Sequence, residues 1–275
     1  MPELPEVETI RRDLDPELRG RSIERVRVYH DDLILGGMNR RTFSGRIRDR
    51  RILGVRRRAK YLLFDLAPDL IVRVQLRMSG RFWLGSRRPD PQEFRHPGID
   101  LRLDDGRTLF YDDTRRLGGF DVLEPETWAA AESRIGPEPL PRAFTWRVLA
   151  DRLEGARAPI KNALLDQRRL AGVGNIYASE ALYRSGIDPR RAAGSLSESE
   201  LRRLHREVRA VLREALRSAG TTFQNYRAVN GRSGSFQTRL HVYARDGSPC
   251  PRCGRPVTRI IQAGRSTFFC ETCQS

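Results

Sequence analysis

The sequence predicts an α+β protein of several domains: a β domain, a helical domain and a small cysteine-rich module, in that order. Three observations predict this fold class. Alternating apolar residues with turn signals fill residues 20–125, helical spacing begins after residue 143, and two Cys-x-x-Cys pairs lie near the end. A chain of 275 residues is long enough for about two domains with cores of their own.

The β domain is predicted from short apolar runs separated by turns. Ile99, Leu101 and Leu103 alternate with polar residues, and Asp105-Gly106 offers a hairpin turn before the next apolar run. Further strands are expected near residues 23–28, 61–64 and 70–72. Several short strands of this kind favour a sandwich or a barrel.

The segment Gly136–Pro141 contains three prolines, so it can continue neither a strand nor a helix and predicts a linker. Beyond it, helical spacing predicts helices over residues 143–154, 158–167 and 174–185, and a long helix from the capping box Ser197–Glu200 to a stop near Gly220. We place the N-terminal β domain at 1–135, the linker at 136–150, the helical domain at 151–225, and a loop with the cysteine module at 226–275.

The four cysteines are Cys250, Cys253, Cys270 and Cys273, with 16 residues between the two pairs. Two Cys-x-x-Cys turns can complete a tetrahedral site for one structural Zn²⁺, which leaves no ligand position for water. The alternatives are two disulfides, which a reducing cytosol disfavours, or a thioredoxin-like redox pair, which needs no second copy. Between the pairs we expect a hairpin of Thr258–Gln262 and Thr267–Phe269.

The tip of that hairpin is expected at Ala263–Ser266, which puts Arg265 on an exposed finger. One more surface arginine is the alternative interpretation. Lys60 and Lys161 are the only lysines among 51 basic residues, so 49 are arginines. A GC-rich genome explains such an excess, but arginine suits bidentate phosphate contacts, whereas the pKa of lysine can be tuned for proton transfer. A solvated surface lysine is the alternative at both positions.

Charge and composition indicate the class of partner. Basic residues exceed the 35 acidic ones by 16, and the pI is about 10.8, which predicts a polyanionic partner such as nucleic acid or an acidic membrane surface. No apolar run approaches the roughly 18 residues of a membrane span, and no signal-peptide core is present. We therefore expect a cytoplasmic protein that does not enter a membrane.

The N-terminus predicts a short amphipathic helix with Val7, Ile10 and Leu14 on one face. If Met1 is removed, Pro2 exposes a secondary amine. An α-amino group titrates near pH 8, whereas free lysine titrates near 10.4, so much of such an amine is unprotonated at neutral pH. It could attack an electrophilic sugar carbon and give an iminium. A simple helix start is the alternative.

This opening, Met1–Thr9, closely resembles that of the formamidopyrimidine-DNA glycosylases, a bacterial family of base-excision repair enzymes. The resemblance extends over nearly the whole chain, through Arg58–Leu62, Met78–Gly80, Gly136–Leu140, Gly172–Ala178 and the four-cysteine finger with Arg265. It implies an N-terminal β-sandwich, a helix-two-turn-helix domain and a C-terminal four-cysteine zinc-finger β-hairpin, with DNA in the cleft between them.

The resemblance also implies catalytic roles. Pro2 would be the Schiff-base nucleophile at C1′ of the damaged nucleotide, and Glu3 the proton donor that assists opening of the sugar ring. Lys60 would be a proton donor in strand cleavage by β-elimination. Arg265 would serve the δ-elimination that removes the remaining sugar.

A glycosylase flips its target nucleotide out of the stack, and the resemblance implies that Met78, Arg115 and Leu117 fill the gap. Further DNA-binding positions carried over from the family are His96, Arg157, Lys161 and Asn175. The loop Tyr226–Phe236 resembles the family's mobile loop that closes over the flipped base. Ordinary core positions are the alternative for Met78 and Leu117.

Two departures affect lesion preference. The family commonly has Pro-Arg-Arg-Phe-Gly where this chain has Thr114–Gly118, so Leu117 can act as a wedge but cannot stack as phenylalanine does. Gln75 stands where many members have histidine, and it can hydrogen-bond a phosphate without titrating.

The function expected is therefore a monomeric, bifunctional DNA glycosylase and AP lyase. Its substrate would be double-stranded DNA with 8-oxoguanine, formamidopyrimidines or abasic sites, in the bacterial cytoplasm at the nucleoid. An endonuclease VIII-like enzyme for oxidised pyrimidines is one alternative: Gln75 and Leu117 favour it, and the loop at 226–236 argues against it. A non-catalytic damage-binding paralogue is the other, and only Pro2, Glu3 and Lys60 discriminate against it.

Overall fold

The computed structural model describes residues 2–222, 228–231 and 233–275. The chain forms two compact units. Unit 1 comprises Met1–Ser133 and Ser218–Ser235, and unit 2 comprises Arg134–Arg217 and Phe236–Ser275. Within the described ranges, no helix has the length and apolar character needed to cross a bilayer.

Unit 1 begins with helix α1, Leu4–Leu18, which confirms the predicted N-terminal helix. Val7, Ile10 and Leu14 are fully buried, as their helical spacing predicted. Pro5 occupies the second helical position, where its missing N–H costs no hydrogen bond.

Eight strands of unit 1 form two four-stranded antiparallel sheets. The first sheet has the order β1-β6-β7-β5, with β1 at Ile23–Val28, β6 at Pro97–Leu103, β7 at Thr108–Asp113 and β5 at Gly80–Gly85. The second has the order β2-β3-β4-β8, with β2 at Ile52–Arg58, β3 at Tyr61–Leu66, β4 at Leu70–Gln75 and β8 at Gly119–Leu123.

The two sheets share one apolar core. The ring of Phe120 in β8 lies 4.9 Å from that of Tyr111 in β7 and 6.3 Å from that of Phe82 in β5, measured between centroids. The apolar face of α1 packs into the same core. Burial of these apolar faces supplies the main driving force for folding of the unit. Because the strands form two separate sheets, the architecture is the predicted sandwich rather than a barrel.

Helix α2, Arg40–Ile47, lies in a region expected to be mostly strands. Only Phe43 and Ile47 of its eight residues are buried, so its sequence carries little helical periodicity. Asn39 starts the helix, because its side-chain oxygen accepts a hydrogen bond from the Thr42 backbone at 2.9 Å. A further helix, α3, spans Pro125–Glu132.

Unit 2 confirms the four predicted helices, each with slightly different ends. They are α4 at Trp146–Leu153, α5 at Ile160–Leu165, α6 at Asn175–Ser185 and α7 at Glu198–Arg217. The predicted capping box is present, since the Ser197 backbone donates to Glu200 Oε2 at 2.8 Å. No regular element occupies the predicted linker Gly136–Pro141, all of which lies within the described structure.

The last element is the hairpin of β9, Thr258–Gln262, and β10, Arg265–Phe269. Its turn is Ala263-Gly264, and both residues have positive φ (46° and 73°), as a two-residue hairpin turn of type I′ requires. The expected four-residue tip was wrong, because Arg265 already pairs with Gln262. Arg265 is nevertheless exposed beside the turn.

Candidate active site and zinc centre

The two N-terminal candidates of unit 1 lie directly before α1. Pro2 and Glu3 are both buried, and Glu3 is only 2% exposed. The Glu3 backbone N–H donates to Glu6 Oε2 at 2.8 Å, which fixes the chain next to Pro2. A residue near the end of a chain is ordinarily mobile, and this capping contact restricts the backbone directly next to Pro2.

Glu6, which sequence analysis assigned no role, also joins α1 to the second segment of unit 1. Its Oε1 atom accepts a hydrogen bond from the Thr221 backbone at 2.8 Å. Gly220, with φ of +83°, precedes this contact, and a Cβ atom there would lie 2.8 Å from Glu6 Oε1. The close approach therefore requires glycine. The only sequence signal was an acidic residue in the first helical turn.

Lys60 lies in the two-residue turn between β2 and β3, where Ala59 has a φ of 50°. Arg57 supports this turn, because its Nη1 donates to the Ala59 carbonyl at 2.9 Å. The same guanidinium pairs with Glu8 Oε2 on α1 at 3.1 Å. The turn that carries Lys60 is thus tied to α1, the helix that begins two residues after Pro2.

The carboxyl group of Glu8 is charged in this arrangement. Burial by itself would raise its pKa, but hydrogen bonds and positive charges from Arg11, Arg57 and Arg12 lower the pKa below its usual value. The ion pair with Arg57 therefore persists throughout the neutral range.

Met78, Arg115 and Leu117 lie on the surface of unit 1. Met78 is 38% exposed and Leu117 is 49% exposed, so the alternative that they are ordinary core residues is wrong. Arg115 Nη1 lies 3.0 Å from the Met78 sulfur, which brings these two side chains together. Exposed apolar side chains next to a guanidinium are suited to insertion between bases.

The loop that carries Arg115 and Leu117 is fixed by Asp113, which is fully buried. Asp113 accepts hydrogen bonds from the Ser79 hydroxyl, from the Gly118 backbone at 2.8 Å and from the Tyr111 hydroxyl at 3.2 Å. A Cβ atom at Gly118 would lie 2.0 Å from the Tyr111 oxygen, so only glycine fits there. Sequence analysis assigned no role to Asp113 or Ser79.

His96 immediately precedes β6, and its side chain is exposed. Its backbone N–H donates to Asp112 Oδ1 at 2.5 Å, and Asp112 in turn pairs with Arg81 at 3.0 Å. Because β6 starts where β7 ends, His96 and Arg115 lie at the same end of the first sheet.

In unit 2, Lys161 is 0% exposed. Its ammonium group donates to the Ser266 carbonyl at 2.9 Å and to the Thr267 hydroxyl at 2.6 Å. The Asn175 amide also donates to the Ser266 carbonyl, at 2.9 Å. Lys161 and Asn175 therefore converge on the residue next to Arg265 and hold its strand.

Arg157 is separate from that cluster. It is exposed in the segment before α5, and among the described residues its guanidinium makes no hydrogen bond or ion pair. An exposed, uncommitted guanidinium is available for a phosphate contact.

The four cysteines form one cluster, with all sulfur atoms within 4.8 Å of one another. Cys250 and Cys273 are 3.9 Å apart, and Cys253 and Cys270 are 3.5 Å apart. A disulfide requires about 2.05 Å, so both of these disulfide pairings are excluded. Tetrahedral zinc–sulfur bonds of about 2.3 Å imply sulfur separations of about 3.8 Å. The cluster is thus a site for one structural Zn²⁺.

Two side chains outside the ligand set support the finger. The Tyr183 hydroxyl lies 3.3 Å from the Cys250 sulfur. Glu180, 0% exposed, accepts from the backbone of Val242 at 2.9 Å and of Tyr243 at 3.0 Å, where the chain enters the finger. Burial would raise the Glu180 pKa, but hydrogen bonds from His241 and from these amides lower it, so the carboxylate is charged.

The predicted capping loop Tyr226–Phe236 is described only in part, since residues 226, 227 and 232 lie outside the described residues. Asn230 is described and has a φ of 59°. Its side-chain oxygen accepts a hydrogen bond from the Leu84 backbone on β5 at 2.9 Å. This contact attaches the described part of the loop to the sandwich.

Family sequence models match three parts of the chain. The formamidopyrimidine-DNA glycosylase N-terminal domain matches residues 1–120, and the helix-two-turn-helix domain of the same enzymes matches residues 135–226. The zinc finger found in FPG and IleRS matches residues 247–275.

Individual proteins agree with these matches. A formamidopyrimidine-DNA glycosylase of Chloroflexus aurantiacus is 43% identical over 274 residues, which cover 100% of this chain and 98% of that protein. The crystal structure of the MutM (FPG) protein from Thermus thermophilus is 44% identical, with a TM-score of 0.88 and coverage of 99% and 98%.

The protein chain in a crystal structure of Lactococcus lactis Fpg with DNA containing an abasic site is 31% identical to this chain. Its TM-score is 0.89, and the match covers 99% of both chains. Sequence models, full-length relatives and solved structures all lead to the same conclusion: this chain belongs to the formamidopyrimidine-DNA glycosylase family.

Proposed function

We propose that this chain is a base-excision repair enzyme that removes oxidised purines, such as 8-oxoguanine and formamidopyrimidines, from double-stranded DNA and then cleaves the strand as an AP lyase. The observation that carries the proposal is the start of α1, where Pro2 is buried and held by the contact between Glu3 and Glu6. Family membership supports the same activity.

The proposed chemistry starts at the Pro2 nitrogen. In its unprotonated form the amine attacks C1′ of the flipped nucleotide, and a C1′–N bond forms as the glycosidic bond breaks. Glu3 donates a proton to the sugar ring oxygen, the ring opens, and an iminium results. The iminium acidifies the C2′ proton, and its loss expels the 3′ phosphate by β-elimination.

Lys60 and Arg265 serve the elimination steps as proton donor and phosphate-binding group. Arg57 and Glu8 support the position of Lys60, since they link its turn to α1. Lys161 and Asn175 remain proposed DNA-binding residues, and their hydrogen bonds to the Ser266 carbonyl also support the strand of Arg265.

DNA binding is proposed for the exposed cluster of unit 1 and for one arginine of unit 2. Met78, Arg115 and Leu117 fill the gap left by the flipped nucleotide, and His96 and Arg157 contact phosphates. The functional division remains a prediction: catalytic sandwich at 1–135, linker at 136–150, helix-two-turn-helix domain at 151–225, and capping loop with zinc finger at 226–275. We propose that the protein acts as a monomer in the bacterial cytoplasm.

The decisive experiment is borohydride trapping on a duplex with one abasic site or one 8-oxoguanine. We expect a covalent adduct whose peptide mass maps to Pro2. Because the chain has only two lysines, the Lys60→Arg/Lys161→Arg double variant has no side-chain primary amine. Trapping by this variant would confirm the N-terminal amine, whereas an adduct that maps to Lys60 in the wild type would overturn the proposal.

The same assay tests lesion preference. Single-turnover rates on 8-oxoguanine should exceed those on thymine glycol if oxidised purines are the substrate. The reverse order would favour the endonuclease VIII-like alternative, and binding without any adduct would favour a non-catalytic damage-binding protein.

A further inference from the structure

A pocket of about 470 Å³ lies on the outer face of the first sheet of unit 1. Three guanidinium groups line it, from Arg25 and Arg27 on β1 and Arg102 on β6. Thr108 and Phe110 of β7 also line it. We call this set the arginine pocket.

Two of its arginines repel one another. Arg25 and Arg102 are direct partners in the ladder between β1 and β6. Like charges directly opposite each other across two strands are destabilising. Within the part of the chain that the structure describes, neither guanidinium makes a hydrogen bond or an ion pair. An anion between them would remove this repulsion.

The third guanidinium is held in place by an aromatic ring. Arg27 lies 4.6 Å from the centroid of Tyr29. The Tyr29 hydroxyl donates to Asp100 Oδ2 at 2.9 Å, and the same carboxylate pairs with Arg88. Asp100 Oδ2 is therefore engaged by Tyr29 and Arg88, whereas its buried Oδ1 has no hydrogen-bond partner among the described residues. Glu24 and Asp100 are the two carboxylates of the lining, and Arg88 balances the charge of Asp100, so positive charge exceeds negative charge around the pocket.

The pocket also offers a hydroxyl group. Thr108 is only 7% exposed, yet it lines the pocket, and its hydroxyl has no hydrogen-bond partner among the described residues. A hydroxyl has one O–H to donate, and a ligand oxygen in the pocket would accept it.

We propose that the arginine pocket binds a phosphate group. A phosphate has enough oxygen atoms to accept from several guanidinium forks and a hydroxyl at once, whereas a carboxylate has only two. The phosphate could belong to a DNA backbone or to a small phosphate ester, and both present the same group.

This site is separate from the proposed DNA-binding cluster. His96 precedes the start of β6, whereas Arg102 lies near its end, five residues beyond Pro97. At about 3.4 Å per residue this is roughly 17 Å along the strand. The pocket therefore lies toward the opposite end of the sheet and adds a second anion site to a lesion-binding enzyme.

The test is a titration of isotopically labelled, zinc-loaded protein with inorganic phosphate, in chloride buffer of matched ionic strength, followed by backbone amide NMR. We expect the amides of Arg25, Arg102 and Thr108 to shift in the wild type, and Arg25→Gln/Arg102→Gln to weaken binding at least tenfold. The matched control is Arg41→Gln/Arg87→Gln, which removes the same charge from two exposed arginines elsewhere in unit 1 and should titrate as the wild type does.

Two further ligands distinguish the sources. Shifts of the pocket amides with both inorganic phosphate and an undamaged duplex assign the site to DNA backbone, and shifts with phosphate alone assign it to a small phosphate ester. Shifts with a glutamate-rich peptide but not with phosphate would overturn the proposal in favour of an acidic protein partner. No shift of these amides with any ligand would also overturn the proposal. Borohydride trapping at Pro2 should be unchanged in the Arg25→Gln/Arg102→Gln variant.

Discussion

Glu6 Oε1 accepts a hydrogen bond from the backbone of Thr221 at 2.8 Å, although 215 positions separate the two residues. The other carboxylate oxygen holds the Glu3 backbone, also at 2.8 Å. One buried side chain thus fixes both the chain next to Pro2 and Thr221, which precedes the predicted capping loop. Loss of either hydrogen bond should disturb both parts at once.

We therefore expect Glu6→Gln to impair both stability and catalysis. The amide can accept from one backbone N–H but presents its own N–H₂ to the other, which leaves a buried donor unsatisfied at a cost of about 1–3 kcal/mol. Denaturant unfolding should register this loss, and single-turnover β-elimination should slow at least tenfold because the nucleophile is displaced. Glu17→Gln, at an exposed position of α1, is the control, and an equal effect of both variants would contradict the assignment.

Asn230 should matter for base excision more than for strand cleavage. Its side chain attaches the described part of the capping loop to Leu84, and a loop that covers a flipped base has nothing to cover at an abasic site. Asn230→Gly tolerates the positive φ and removes only the hydrogen bond, whereas Asn230→Ala adds backbone strain. We expect both variants to raise KM on 8-oxoguanine DNA, with unchanged rates on abasic DNA.

An equal decrease in activity on 8-oxoguanine DNA and on abasic DNA would show that Asn230 acts on stability alone. Thermal unfolding of the same variants provides the comparison. Asn230→Gly should retain most of the wild-type stability, because a single neutral hydrogen bond contributes only about 1 kcal/mol.

Glu200 gives unit 2 a pH-dependent contribution to stability. A hydrogen bond from Arg191, together with others from Ser197, lowers its pKa from 4.5 to about 2. A lowered pKa in the folded state stabilises the protein above pH 4.5, and this contribution disappears as the pH falls toward about 2. The difference in melting temperature between the wild type and Glu200→Gln should therefore shrink over that interval. A melting-temperature difference that does not change with pH would contradict the assignment. Loss of zinc in acid affects the wild type and Glu200→Gln alike, so it does not alter their difference.

Tyr183 should protect the zinc site. Its hydroxyl lies within hydrogen-bonding distance of the Cys250 sulfur, and hydrogen bonds to a metal-bound thiolate stabilise the charged ligand. We expect Tyr183→Phe to release zinc to a chromophoric chelator about tenfold faster in hydrogen peroxide. Tyr243→Phe removes a hydroxyl from another tyrosine packed against the same cluster, and equal rates in the two variants would refute the role of Tyr183.

The elements that sequence analysis predicted correctly are those specified by neighbouring residues. The apolar face of α1, the hairpin at Asp105-Gly106 and the two Cys-x-x-Cys turns all depend on contacts within a few residues. Helix α2 was missed because only Phe43 and Ile47 mark its buried face. The turn before Arg265 was predicted too long, because Ala263–Ser266 has no alternation of apolar residues that would show where pairing begins.

The supporting residues of the site were not predictable in the same way. Glu6, Asp113 and Glu180 are buried acids whose roles depend on distant partners, such as the amide of Val242, 62 positions from Glu180. A single sequence carries no signal for such pairings. The family resemblance supplied Pro2, Glu3, Lys60 and Arg265, but not the side chains that hold them in position.

The discontinuous composition of unit 1 has a consequence for its biosynthesis. Ala228 and Val229 belong to the sandwich core, and Thr221 is needed by Glu6, so the ribosome must translate all of α4–α7 before the first residues of the protein find their last partners. Until these residues are made, part of the apolar core of the nascent sandwich remains exposed, and such exposed surface is what chaperones bind. A chain truncated before Thr221 should consequently be unable to nick DNA, because it lacks these core residues and the partner of Glu6.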